Sequence, residues 1–303
     1  MLGTRSRFLF QIGEKPRVRP ALDSYLEILR DLNPIVVSFL GGEPFSRKDL
    51  ERLINAAKYD AGVPHVQVTT NGSFLTLEKY VAVSEAGLDR LNISLDYATE
   101  AHDTSRGIKG LYEKITEFVK EVRAKGIKGA EISLNTIYMA DSVKDTEELA
   151  KFAREQRIQI TLFPYSLVKN ANGSHDLALQ REVALKNFDR LWAQYRDVIT
   201  NPDAVMGAMM EFIEKGFYPG KCDAGRSFMW VKPDGTYMAC IDLPHSRAES
   251  LEEVRRFKDT NECQSCYLPC RGSPEMAAHA QERGLYHSLF KDFARIKGID
   301  LGR

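Results

Sequence analysis

Ile35-Val36-Val37-Ser38-Phe39-Leu40 runs directly into Gly41-Gly42-Glu43-Pro44. The first six residues are apolar except for Ser38 and rich in β-formers. A run this short, closed by two glycines, reads as a buried strand ending in a tight turn. Without a Cβ in the way, Gly41 and Gly42 let backbone approach a ligand closely. Their carbonyls and the Glu43 carboxylate offer acceptors for an ammonium group, and Pro44 stiffens the exit and removes one donor.

Working outward, four further runs have the same character: His65–Thr70, Arg90–Leu95, Glu131–Ile137 and Ile158–Phe163. Helical stripes separate them. Leu22, Leu26 and Leu29 precede the first strand; Leu50, Leu53, Ile54 and Ala57 follow it; Leu111, Ile115, Phe118, Val119 and Val122 mark a later helix. Each spacing buries one face. Strand and helix alternating about every thirty residues predicts βα units and a parallel sheet. The strands end in Gly41–Pro44, Thr69–Gly72, Ser94–Asp96, Asn135-Thr136 and Phe163–Tyr165. A parallel α/β barrel builds its site from such C-terminal ends, so these five are expected to converge. The rhythm stops after Phe163. Helices are predicted over 178–198 and 202–216, a hairpin over Phe228–Cys240 turning at Pro233-Asp234-Gly235, and short helices at Leu251–Phe257 and 274–283. The expected domain boundary lies near residue 200, giving 1–200 and 201–303.

Composition narrows the function. The 42 basic and 42 acidic residues cancel, so bulk charge gives no reason to expect nucleic acid or an acidic membrane. No apolar run approaches a membrane span and no secretory h-region opens the chain, so a cytoplasmic protein is expected. All five cysteines, Cys222, Cys240, Cys263, Cys266 and Cys270, lie in the last third. An odd, clustered set without an export signal argues for metal ligation. Thiolates suit an iron–sulfur cluster and zinc alike.

Taken together, these motifs resemble the radical SAM enzymes that carry a C-terminal SPASM or twitch domain. Gly41–Pro44 matches the family's GGEP motif, Thr70-Asn71-Gly72 and Ser94-Leu95-Asp96 match its next strand ends, and Arg106-Gly107 with Gly110 resembles its RGxxG stretch. Cys222, twelve residues, Gly235, four residues and Cys240 fit its CX9–15GX4C pattern, and Cys263-X2-Cys266 with Cys270 resembles the run that follows. The resemblance implies an α/β fold, a partial parallel (β/α)6-type TIM barrel followed by a small cysteine-rich twitch domain. It implies S-adenosylmethionine and [4Fe–4S] clusters as cofactors, and a 5′-deoxyadenosyl radical that modifies a peptide, protein or small-molecule substrate. An electron donor such as flavodoxin or ferredoxin would be the partner.

It also assigns roles. Gly41, Gly42, Glu43 and Pro44 would receive the methionyl ammonium. Thr70 and Asn71 would bind the cofactor at the next strand end, and Ser94 and Asp96 would make ribose or nearby contacts. Arg106 would face the methionyl carboxylate as a fork donor, and Asn135 would reach cofactor or substrate. Four of the five cysteines would hold one auxiliary [4Fe–4S] cluster, since a cluster held by thiolates takes four. Asp242, two residues after Cys240, is the candidate proton acceptor, although some relatives place that acid directly after the cysteine and here Ile241 intervenes.

One departure is large. The family's CX3CX2C motif, which holds the SAM-cleaving cluster, belongs after the first strand, and residues 1–221 contain no cysteine. Two readings compete. In the one adopted as the expectation, the first strand and cluster loop lie upstream of Met1, so that the second cluster exists only if such residues do. In the other, Phe8–Ile12 is the first strand and its loop has lost the cysteines, leaving a silent SAM- or partner-binding scaffold. A zinc-bearing interaction module is a third possibility.

Overall fold

The computed structural model describes residues 7–11, 22–167, 175–218 and 220–267. In chain order the elements are β1 (Arg7–Gln11), α1 (Leu22–Leu32), β2 (Val36–Leu40), α2 (Leu50–Asn55), β3 (His65–Thr70), α3 (Leu77–Glu85), β4 (Arg90–Ser94), α4 (Ala101–Arg106) and α5 (Leu111–Ala124). They continue with β5 (Glu131–Tyr138), α6 (Val143–Glu155), β6 (Gln159–Pro164), α7 (Arg181–Gln194) and α8 (Asp203–Lys215). The last are β7 (Phe228–Val231), β8 (Tyr237–Met238), β9 (Arg247–Ala248) and α9 (Leu251–Thr260).

The chain forms two compact units that interleave in sequence. The first comprises 1–94, 108–133 and 223–261; the second comprises 95–107, 134–222 and 262–303. In the first, strands lie in the order β4-β3-β2-β1-β7-β8-β9. The pairs β4–β3, β3–β2, β2–β1 and β1–β7 are all parallel, so five strands run one way. β8 and β9 then turn back antiparallel. Val37, Val66, Val68, Leu91 and Ile93 have no exposed surface. Near-continuous burial along β2, β3 and β4 is what a parallel sheet covered on both faces requires. The stripe on α5 is buried as its spacing predicts, with Phe118 edge-on to Tyr80 at 5.7 Å. Thr76 and Ser250 cap α3 and α9 through their hydroxyls. In the second unit β5 and β6 are neighbours, and the α7 and α8 faces bearing Phe188, Leu191, Met206 and Met209 are buried.

The contacts divide differently from the expected boundary near residue 200. β7 pairs with β1 in register from Arg7↔Phe228 to Phe10↔Val231, so 223–261 belongs with the first strands rather than with a separate C-terminal domain. The expected hairpin is present, but its first strand is a fifth parallel strand of the main sheet. β1 pairs in parallel with the strand that leads into Gly41, in register from Arg7↔Val36 to Gln11↔Leu40. The helix expected over 274–283 lies outside the described residues.

Candidate functional site

The turn after β2 is built around Glu43. Gly41 sits at φ 141°, in the region that favours glycine, and lets the chain leave the strand. Pro44–Ser46 then forms a single 3-10 turn, with Glu43 extended ahead of it. Only 7% exposed, Glu43 accepts at Oε1 from Phe45 N (3.1 Å) and from the Thr70 hydroxyl (2.6 Å), and at Oε2 from Asn71 N (2.8 Å). Thr70 Oγ1 in turn accepts from Gly72 N at 2.9 Å, and Asn71 Oδ1 accepts from Ser73 N at 2.8 Å. The ends of β2 and β3 are thus strapped together by one carboxylate. A carboxylate has about four lone-pair positions; three are used, leaving one on Oε2. The expected ammonium acceptor is therefore first a structural tie, with capacity for a single further donor. Gly72 is required sterically: its φ is 82°, and a Cβ there would come within 2.8 Å of Ile115 Cγ1.

Ser94, half-buried, ends β4 in the same unit. Asp96, Arg106 and Asn135 fall in the second unit. Asp96 is 4% exposed. Its Oδ2 takes the Arg106 guanidinium at 2.5 Å and its Oδ1 accepts from Ile137 N at 3.0 Å. The expected free fork of Arg106 is thus already committed to Asp96, and both Asp96 oxygens expected near a ribose are engaged internally. The Asn135 carbonyl accepts from Leu95 N at 3.0 Å, tying the segment after β4 to β5, while its side chain is half-buried.

His102, which belongs to none of the sequence motifs, completes this cluster. It has no exposed surface, and Asp96 N donates to its Nδ1 at 3.3 Å. Its Nε2 and the Arg106 Nε are buried without a hydrogen-bond partner among the described residues. Burial pulls the His102 pKa down to about 4, against the upward pull of Asp96. A base with a lowered folded pKa binds fewer protons folded than unfolded, so stability falls as pH drops from the ordinary value of 6.5 towards 4. That loss is about 3 kcal/mol over the window. Urea melts at pH 7 and pH 4.5 are expected to show it, and His102→Gln to flatten the dependence; an unchanged slope would reject it.

Cys222 and Cys266 are buried and Cys263 is half-buried in the second unit, while Cys240 falls in the first. Cys240 N donates to Ser246 Oγ at 3.0 Å, closing the turn after β8. Among the described residues no three Cys, His, Asp or Glu side chains stand close enough to hold a metal, and Cys270 lies outside those residues. Asp242 is half-buried in that turn, its Oδ2 buried without a hydrogen-bond partner among the described residues. No helix among the described residues is long and apolar enough to cross a membrane.

The family model of the radical SAM superfamily matches residues 10–153, from β1 through α6. Residues 10–153 form a radical SAM domain. The chain is 32% identical over 149 residues to Fe-coproporphyrin III synthase of Methanosarcina barkeri, a match covering 48% of this chain and 36% of that protein. It is also 26% identical over 246 residues to a probable GTP 3′,8-cyclase of Methanococcus aeolicus, covering 77% of each. The matches to the Methanosarcina protein and to the GTP 3′,8-cyclase of Mycobacterium ulcerans span only about a third of those relatives (36% and 34%). The fold is that of anSMEcpe with bound AdoMet (TM-score 0.62, 15% identity, 97% of this chain and 98% of that one). It is also that of Streptococcus suis SuiB bound to S-adenosylmethionine (TM-score 0.61, 17% identity, 82% and 64%). The radical SAM superfamily uses S-adenosylmethionine and [4Fe–4S] clusters, and the α/β fold with its parallel sheet is the open, partial barrel the resemblance implied.

Proposed function

We propose that this chain holds S-adenosylmethionine at its strand ends and serves a peptide, protein or small-molecule substrate on a radical SAM scaffold. The observation that carries this reading is the Glu43–Thr70–Asn71 strap, which fixes the turn after β2 and leaves one carboxylate position for an ammonium. Gly41 and Gly42 admit the methionyl end there, and Ser94 suits a cofactor hydroxyl. Asp96 and Arg106 contribute by setting the segment after β4. Relatives named for porphyrin and nucleotide chemistry, and a fold neighbour solved with its precursor peptide SuiA, span the substrate classes considered.

The residues present do not fit the radical-generating cluster. β1 stands beside β2, and the residues between β1 and α1, 12–21, contain no cysteine. Residues 1–221 contain no thiolate to hold such a cluster. Cys222, Cys240, Cys263, Cys266 and Cys270 are proposed to supply four thiolates to one auxiliary [4Fe–4S] cluster; zinc on the same ligands is the rival. The radical SAM domain supports a second reading, in which CX3CX2C is supplied from beyond residues 1–303 and the whole protein is a radical SAM enzyme with an electron donor.

The test is direct. Calorimetry is expected to show weak SAM binding to this chain, and dithionite treatment to release no 5′-deoxyadenosine. Absence of SAM binding would overturn the proposal, and reductive turnover by this chain would overturn the cysteine argument. Turnover that appears only when a CX3CX2C-bearing extension is present would establish the second reading.

A further inference from the structure

A second cluster of titratable groups stands at strand ends of the second unit. Asp141 lies three residues past the end of β5, and His175 lies just ahead of the 3-10 turn Leu177–Gln180. The His175 Nδ1 is 2.9 Å from both Asp141 carboxylate oxygens. Ala140 N donates to the His175 carbonyl at 3.3 Å, so backbone as well as side chain joins the two loops. Tyr165, directly after β6, meets the imidazole edge to face with centroids 5.4 Å apart. Tyr97, after β4, places its hydroxyl 3.4 Å from Asp141 Oδ2. Burial, reinforced by the Asp141 charge, pushes the Tyr97 phenol up to about 12, so it stays a donor to the carboxylate. Asp145 beside it is turned to other work, accepting from Ala98 N at 2.9 Å.

The tautomer follows from this arrangement. A carboxylate only accepts, so Nδ1 carries the proton and Nε2 of the neutral ring keeps its lone pair. Nε2 has no hydrogen-bond partner among the described residues, and the side chain is 23% exposed. A carboxylate fixing one ring nitrogen while the other stays open is the arrangement of a base with its orienting group.

We propose that His175 and Asp141 form a proton-transfer dyad for the substrate of this fold. His175 Nε2 accepts a hydroxyl, thiol or ammonium proton from the substrate, and Asp141 balances the imidazolium that results. The ring then returns that proton from Nε2 to water. The assignment rests on the reading that these strand ends face a substrate, and it is independent of how SAM is held.

Two measurements test it without a known substrate. Nitrogen-15 spectra of histidine-labelled protein are expected to show His175 in its neutral form protonated at Nδ1; the Nε2-protonated tautomer would overturn the dyad. With diethyl pyrocarbonate as the acylating probe and site-resolved mass spectrometry, His175 is expected to react at Nε2, and Asp141→Asn to slow that reaction roughly fivefold to tenfold at pH 7. A His175 that resists acylation in the unaltered chain, or reacts equally fast in Asp141→Asn, would mark a purely structural clamp and overturn the proposal. The tautomer measurement needs no variant and stands even if Asp141→Asn misfolds. SAM calorimetry on Asp141→Asn is expected to match the unaltered chain, so failure of SAM binding and failure of the dyad are read separately.

Discussion

Glu43→Ala is expected to cost about 3–5 kcal/mol of folding stability and to remove SAM binding within the range calorimetry reads. The reason is the number of donors that one carboxylate satisfies. Removing it leaves Phe45 N, Asn71 N and the Thr70 hydroxyl without their acceptor in a place that is nearly closed to water. Each such loss costs about 1–3 kcal/mol, less where water or a neighbour can substitute. Glu43→Gln separates shape from charge. Its carbonyl keeps the two bonds at Oε1, while its amide nitrogen is set against Asn71 N, donor against donor. An intermediate loss of about 1–2 kcal/mol is expected. Urea denaturation of the three proteins should rank them in that order, and a Glu43→Gln protein as stable as the parent would show that the strap at Asn71 carries no weight.

Asp96→Ala is the second large effect. It removes the partner of the Arg106 guanidinium and the acceptor of Ile137 N in one change. Breaking a buried pair costs about 3–5 kcal/mol. The Arg106 side chain is 31% exposed, which lets water take up part of the loss and lowers the expectation to about 2–4 kcal/mol. Asp96→Asn retains an acceptor for Ile137 N and should lose about half as much. Denaturant midpoints decide it. Equal losses in the two variants would mean that the bond to Ile137 contributes nothing and that the charge pairing with Arg106 carries the whole effect.

The sheet was legible because buried parallel strands leave short apolar runs, and those runs at 36–40, 65–70 and 90–94 fall within a residue of their predicted ends. The strand-end motifs were legible for the same reason, since each directly follows such a run. The partnership inside them was not. Glu43 reads as a ligand group until Thr70 and Asn71 are seen to occupy it, and Arg106 reads as a free fork until Asp96 is found across ten residues of chain. The dyad was harder still: Asp141 and His175 are 34 residues apart with no spacing signature, and only the loops after β5 and β6 bring them together. The parallel place of β7 was missed because Phe228–Val231 with its turn has the local pattern of any hairpin, while its partner β1 lies more than two hundred residues earlier. Cys270 and the helix expected after it lie outside the described residues.

That last pairing bears on synthesis. During translation β1 can find β2 early, but its other edge has no neighbour until Phe228–Val231 has left the ribosome. For most of that time the nascent chain carries a bare parallel edge, a template for pairing with other chains. A fragment ending near residue 200, where composition alone would cut, would keep that edge bare permanently. Expressed alone, it is expected to pellet with inclusion bodies, whereas a chain retained through Thr260 closes the edge with its own β7.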